Sequence, residues 1–194
     1  MMSKADMVSE CTMKAIGRLN PDSPTYAASM AKLRRGIGKS LADAPEVWSL
    51  IIPDLPDELT DTSRDGSEET EAESAVFTAM TLYALHQQGN TQSVLRKGES
   101  FGAAAGRLRK KEGDDEDKAL TRRFNAVITS SEMTELAHHV RGLIQLMKSS
   151  DKNIGLDYPQ FAKDLYNYQF PDGRKKVILR WGQDFYKIND KEEE

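Results

Sequence analysis

Residues 129–149 read TSSEMTELAHHVRGLIQLMKS. Met133, Leu136, Val140, Leu143, Ile144 and Met147 recur at steps of three and four, so they line one face of an α-helix. Thr129-Ser130-Ser131-Glu132 matches the capping-box pattern, a hydroxyl followed three residues later by a carboxylate, and predicts the helix start there. The same period continues outward. Upstream, Leu120, Phe124, Val127 and Ile128 mark a helix, and Ser100 is placed to cap another in which Phe101, Ala104, Ala105 and Leu108 share a face. Downstream, Asp157-Tyr158-Pro159-Gln160 is a cap followed by proline, which costs nothing in a first turn. Phe161, Leu165 and Tyr168 follow on one face. Pro171-Asp172-Gly173 reads as a turn before a last stripe of Val177, Ile178, Trp181 and Phe185.

Toward the N-terminus the pattern weakens. A short helix is expected around 7–19, ended by Asn20-Pro21, and another over 25–35, where Gly36 stands at the position a helix C-terminus favours. Asp43-Ala44-Pro45-Glu46 predicts a further start, with Asp43 accepting from the Glu46 N–H and Trp48, Ile51 and Ile52 forming the buried stripe. A helix over about 72–88 carries Val76, Ala79, Met80 and Tyr83. Neither a period-2 strand nor a repeat of fixed length is found. The sequence therefore describes an all-α chain, a helical bundle in two packed halves. Residues 1–24 form an N-terminal extension, 25–89 the first half and 90–190 the second.

The net charge of −4 hides an uneven distribution. Residues 54–73 hold nine acids and one arginine, a balance of −8, and 191–194 add −2, so the rest of the chain carries +6. Run 54–73 lacks large apolar groups and is expected to be a mobile loop, with a second acidic loop at 112–117. A moderately basic body is compatible with a polyanionic partner. The one cysteine, Cys11, excludes an internal disulfide and fits a reducing compartment. No stretch approaches the ~18 apolar residues of a membrane span and no secretory core is present, so a soluble cytoplasmic protein with no membrane association is expected.

Chemistry-bearing patterns are few. Gly38-Lys39-Ser40 suggests a phosphate loop, but the required first glycine falls on Leu33, and the preceding residues are helical rather than a strand. His138 and His139 are adjacent and point about 100° apart on a helix, and no paired-cysteine or His-Glu-x-x-His spacing exists, so no metal and no cofactor is expected. Cys11 in a weakly patterned segment is a poor nucleophile, and no catalytic residue is assigned.

The basic residues are better organised. Arg34 and Arg35 close a helix, Arg96 and Lys97 precede Ser100, and Arg122 and Arg123 lie together near the start of another helix. Arg141 stands outside the apolar stripe of 133–147, and Arg174 and Lys175 open the last helix. Arginine reaches phosphate bidentately, and each neutralised phosphate releases counterion. No aromatic side chains interleave with these groups, so contact to backbone rather than bases is expected.

LRRG at 33–36, SFGAAAGRL at 100–108, LTRRFNAVI at 120–128, HHVRGLIQLM at 138–147 and the ending DLYNY…RKKVILRWGQDFY form an ordered series. The series resembles the CasB family, the small subunit of the type I-E CRISPR effector complex Cascade, over about 25–187. The resemblance implies an all-helical protein without enzymatic activity, present in two copies beside the backbone and large subunits. Its basic surface would help hold the crRNA–target DNA heteroduplex and the displaced strand of the R-loop in antiviral defence. Matched position by position, Arg34, Arg35, Arg122, Arg123, Arg141, Arg174 and Lys175 fall on the family's basic positions, and Arg96 and Lys97 on a less regular one. Gly142 stands where some members carry a second arginine. The alternatives are a helical protein-interaction adaptor that binds no nucleic acid directly, and a metal-dependent nuclease, from which no turnover is expected.

Overall fold

A computed structural model describes residues 2–60, 69–109, 114–150 and 152–187. Among them are nine α-helices: α1 (Lys4–Arg18), α2 (Tyr26–Arg35), α3 (Trp48–Ile51), α4 (Glu71–Gln87), α5 (Phe101–Gly106), α6 (Asp115–Thr129), α7 (Met133–Ser149), α8 (Tyr158–Tyr168) and α9 (Pro171–Lys187). Extended pairing among the described residues is confined to one parallel bridge between Leu95 and Leu156. The chain is all-α, as its periodicity demands. None of the described helices is long and apolar enough to cross a membrane.

The chain divides into two compact units, Met1–Leu85 with Tyr158–Asn167, and His86–Asp157 with Tyr168–Glu194. In the first, the Ser3 side chain caps α1 by accepting from the Asp6 N–H, three residues before the expected start. Arg18, in its last turn, donates to the Leu50 carbonyl at 2.9 Å and pairs with Asp54 at 2.7 Å. Gly36 ends α2 with an ordinary right-handed φ, so conformational freedom is not its role. The ring of Phe77 is: a Cβ at Gly36 would lie 3.0 Å from it. In α4, residues 75–77 and 79–86 are buried, so this helix is apolar around most of its circumference. Tyr83 meets Tyr158 edge-on at 5.3 Å.

In the second unit α5 packs on α9 at very short range. A Cβ on Gly102 would lie 2.1 Å from the Trp181 carbonyl oxygen, and one on Gly106 2.8 Å from that of Phe185. The SFGAAAG sequence thus lets two helix backbones touch. Ser100 caps α5 as expected, accepting from the Ala103 N–H, and donates to Asp184 at 2.6 Å. Phe124 stacks on Phe185 at 4.0 Å and Phe101 leans on Trp181 at 4.8 Å. The face of Leu136, Val140, Leu143, Ile144 and Met147 is buried on α7.

Several local expectations are corrected. The capping box at 129–132 does not form: Thr129 ends α6, Ser130 follows it, and α7 starts after Glu132. The reaching-back carboxylate is Glu135, which accepts from the Ser131 N–H at 3.0 Å. Asp43 accepts from Ser40 rather than from Glu46. Trp48 and Ile52 are 42 % and 41 % exposed and only Ile51 of that trio is buried, because proline-bracketed 3₁₀ turns shorten α3 to four residues. Pro171-Asp172-Gly173 is not a turn but the first turn of α9, where proline at the first position is favourable. The acidic segments are ordered at their edges. Leu55 and Leu59 are buried, Glu69 accepts from the Leu41 N–H at 2.6 Å, and Thr70 and Glu73 form a reciprocal capping box on α4. Asp114 caps α6, whose first turn holds Asp115, Glu116 and Asp117. The centres of the expected acidic loops, 61–68 and 112–113, lie outside the described residues, as does the acidic tail.

Candidate nucleic-acid interface

The second unit holds a groove of about 460 Å³ between α6 and α7. Amphipathic periodicity explains it. On α6 the buried stripe is Leu120, Phe124 and Val127, and the neighbouring stripe Ala119, Arg122, Arg123 and Ala126 faces the groove. On α7 the residues beside the buried stripe are His138, His139 and Gly142. Small residues at 119, 126 and 142 leave the floor low, and the long polar side chains become its walls. Ala119 and Ala126 are seven residues apart, so the groove follows about 10 Å of helix. It adjoins a second hollow of about 450 Å³, sharing Ala119 and Arg123 with it and lined further on by Leu120, Leu146 and Lys152.

Arg122 and Arg123 are exposed, and among the described residues their side chains make no hydrogen bond or ion pair. The Arg123 Nη1 lies 4.0 Å from where a Cβ of Gly142 would be, so this guanidinium reaches across toward α7. Two unneutralised guanidinium groups one residue apart are suited to neighbouring phosphate oxygens. His138 and His139 stack edge-on with ring centres 5.4 Å apart, and Glu135 lies 3.9 Å from the His139 Nε2.

The other sequence-predicted positions are distributed differently. Arg141 is exposed on α7 without lining the groove. Arg174 is engaged: its Nε donates to the Tyr168 carbonyl at 3.1 Å and its guanidinium covers the Tyr168 ring at 4.8 Å. Lys175 is 3.9 Å from Asp172, with both side chains well exposed. Arg96 donates to the Asn153 carbonyl at 3.3 Å and its side chain lies over Gly155, while Lys97 is exposed. Arg34 and Arg35 belong to the first unit, where Arg35 is exposed and Arg34 half-buried at the end of α2. The structure thus brings Arg122 and Arg123 together with the two histidines. The histidines were not legible as wall residues because their place depends on α6 and α7 packing side by side after a three-residue connection, which periodicity within either helix does not show.

Among the described residues no three His, Cys, Asp or Glu side chains converge to hold a metal ion. Cys11 is buried, and burial pushes its thiol up to about 11, the opposite of what a nucleophile needs. Arg109 and Asp117 pair at 2.7 Å beneath the surface and serve the fold.

The helical architecture defines a class, an all-α helical protein, whose groove between α6 and α7 carries two exposed arginines. The family model of CRISPR-associated protein Cse2 matches residues 29–186, and the chain belongs to that family. CasB from Thermobifida fusca superposes with a TM-score of 0.72 at 28 % identity, covering 96 % of this chain and 99 % of the other. CasB from M. ruber superposes with a TM-score of 0.67 at 21 % identity, covering 100 % and 98 %, which speaks to the fold alone. No curated protein matches the chain by sequence.

Proposed function

We propose that the chain is a non-catalytic small subunit of a type I-E RNA-guided surveillance complex, Cascade. There it stabilises the crRNA–target DNA heteroduplex and the displaced strand by sequence-independent phosphate contacts. The observation that carries the reading is the pair Arg122 and Arg123, both exposed and without an ion-pair partner among the described residues, on the wall of an open groove. In such complexes base pairing reads sequence, and protein–backbone contacts tip a nearly balanced strand exchange. The family relation supports association with the backbone and large subunits and with a second copy of the chain, in the cytoplasm. Arg34, Arg35, Arg96, Lys97, Arg141, Arg174 and Lys175 are proposed as further phosphate contacts, Arg174 and Arg96 with less freedom because their guanidinium groups are already engaged.

The test is charge reversal, Arg122→Glu with Arg123→Glu, in a reconstituted complex. Target binding and R-loop formation should weaken while the circular dichroism spectrum stays native. Wild-type target binding by the double variant would overturn the assignment. The adaptor reading draws on exposed apolar side chains such as Leu179, 62 % exposed on α9, and Trp48. An affinity for DNA that does not change with salt would favour it.

A further inference from the structure

The short element around α3, in the first unit, is apolar on two sides. Val47, Ile51 and Leu55 are buried and join the core. Pro45, Trp48, Ile52 and Pro53 are exposed. Steps of three and four residues stay on one face of a helical turn, so Pro45, Trp48 and Ile52 form one outer ridge. A helical element that is apolar all round is ordinarily covered all round. Here the outer side is open, with Trp48 and Ile52 each about two-fifths exposed. We propose that the Trp48–Ile52 ridge is a docking surface for another protein, one that presents an apolar hollow ringed by lysine or arginine. The proposal rests on reading the chain as a subunit of an assembly, and gives that assembly a contact surface distinct in residues and in charge from the arginine pair on α6.

The ridge is held in place before any contact. The Trp48 Nε1 donates to the Leu41 carbonyl at 2.7 Å, which pins the indole to the turn at 40–44. That turn is closed by the Asp43 and Ala44 N–H groups, which donate to the Ser40 and Leu41 carbonyls. Pro45 and Pro53 fix the backbone on either side of the ridge. Arg18 ties the element to α1 through the Leu50 carbonyl and Asp54. A side chain ordered in advance loses less freedom on binding, and tryptophan is among the residues most enriched at the centres of protein contacts.

Charge selects the partner. From Ser40 to Thr60 the chain has five acids, Asp43, Glu46, Asp54, Asp57 and Glu58, and neither lysine nor arginine. Asp54 is paired with Arg18, whereas Asp43, Asp57 and Glu58 are exposed. Asp43 belongs to the very turn that receives the indole, where its carboxylate accepts from the Ser40 hydroxyl at 2.8 Å. An acidic rim repels phosphate and the anionic face of a membrane. It also opposes a two-fold contact between two copies of the ridge, which would set the acids against themselves. What it complements is a basic protein surface. An apolar centre with a charged edge is the common anatomy of specific protein interfaces.

The test titrates the fluorescently labelled full chain with a crRNA-bearing complex assembled from the other subunits, with anisotropy as readout. Trp48→Ala should weaken binding by about thirtyfold, the loss typical of a contact hot spot. Ile52→Asp, which places a carboxylate inside the apolar contact, should weaken it by at least about tenfold. Asp57→Lys with Glu58→Lys should weaken it by about tenfold at low salt and hardly at all at about 1 M salt. Circular dichroism should remain native. If Trp48→Ala, which also loses the bond to Leu41, does not fold, Ile52→Asp decides alone. Wild-type affinity in a natively folded Ile52→Asp chain would overturn the surface, and tighter binding after the Asp57 and Glu58 reversal would overturn the basic partner. Sedimentation of the isolated chain and its binding to labelled DNA are read for the same variants. Self-association lost in Ile52→Asp would make a second copy the occupant, and weakened DNA binding would make it nucleic acid; either result overturns the proposal. Failure of the wild-type chain to bind the complex would overturn the assembly reading itself, so the two failures are distinguishable.

Discussion

Arg109 stands in the basic run RLRKK and looks in sequence like its neighbours. It is 7 % exposed, pairs bidentately with Asp117 and lies 5.5 Å from the Phe185 ring centre. A charge placed there is a structural element, and residue type alone could not separate it from Arg123, which is exposed. What separates them is which side of a helix faces the core. Asp117→Asn should therefore cost about 3 kcal/mol in urea denaturation, because it removes the carboxylate charge held against a buried guanidinium. Asp117→Leu combined with Arg109→Met should cost much less. His86 makes a pH prediction at the same scale. It is fully buried, and desolvation lowers its pKa from 6.5 to about 4. Between those values the unfolded chain binds the proton and the folded chain does not, so stability rises with pH across the window and is lost as pH falls from 6.5 toward 4. The slope is about 1.4 kcal/mol per pH unit while only this group titrates. Thermal unfolding at pH 7, 6 and 5 should show it, and His86→Gln should flatten it.

Helices were legible wherever the apolar period ran for three turns or more, as on α6, α7 and α9. They were least legible where short elements are decided by turns. The helix that Asp43-Ala44-Pro45-Glu46 should start and Pro53 should stop is instead split into 3₁₀–α–3₁₀ pieces, which leave Trp48 and Ile52 exposed. The α4 start was obscured by acidity: Thr70-Glu71-Ala72-Glu73 is a working capping box inside a run that reads as disordered from composition. Thr70→Ala should lower stability by about 1 kcal/mol, the usual value of such a cap. Two helical glycines of one unit should respond in opposite directions. Gly102→Ala forces a Cβ to 2.1 Å from the Trp181 carbonyl, so α5 and α9 must part, and a loss of about 3 kcal/mol is expected. Gly142→Ala meets no obstacle and should gain about 0.5–1 kcal/mol. Denaturant midpoints of both variants against wild type test the contrast.

At the scale of the molecule, the order of the motifs was readable because it is a property of the chain, whereas the groove was not, because it is a property of two helices side by side. Charge shows the same division. A chain with net charge −4 does not draw nucleic acid by its overall field. Whatever affinity it has must come from local groups, so the salt dependence should count those groups rather than report a global attraction. For a single strand the slope of log K against log salt is about −0.7 per phosphate neutralised. If Arg122 and Arg123 each neutralise one phosphate, Arg122→Gln with Arg123→Gln should make the slope shallower by about 1.4, in addition to weakening binding at low salt. Lys118→Gln, which removes a cation already paired with Asp115 at 3.3 Å, should leave the slope nearly unchanged. Were the wild-type and Arg122/Arg123 slopes equal, the two arginines would not be neutralising phosphate, and any loss of affinity would have to come from a changed surface shape.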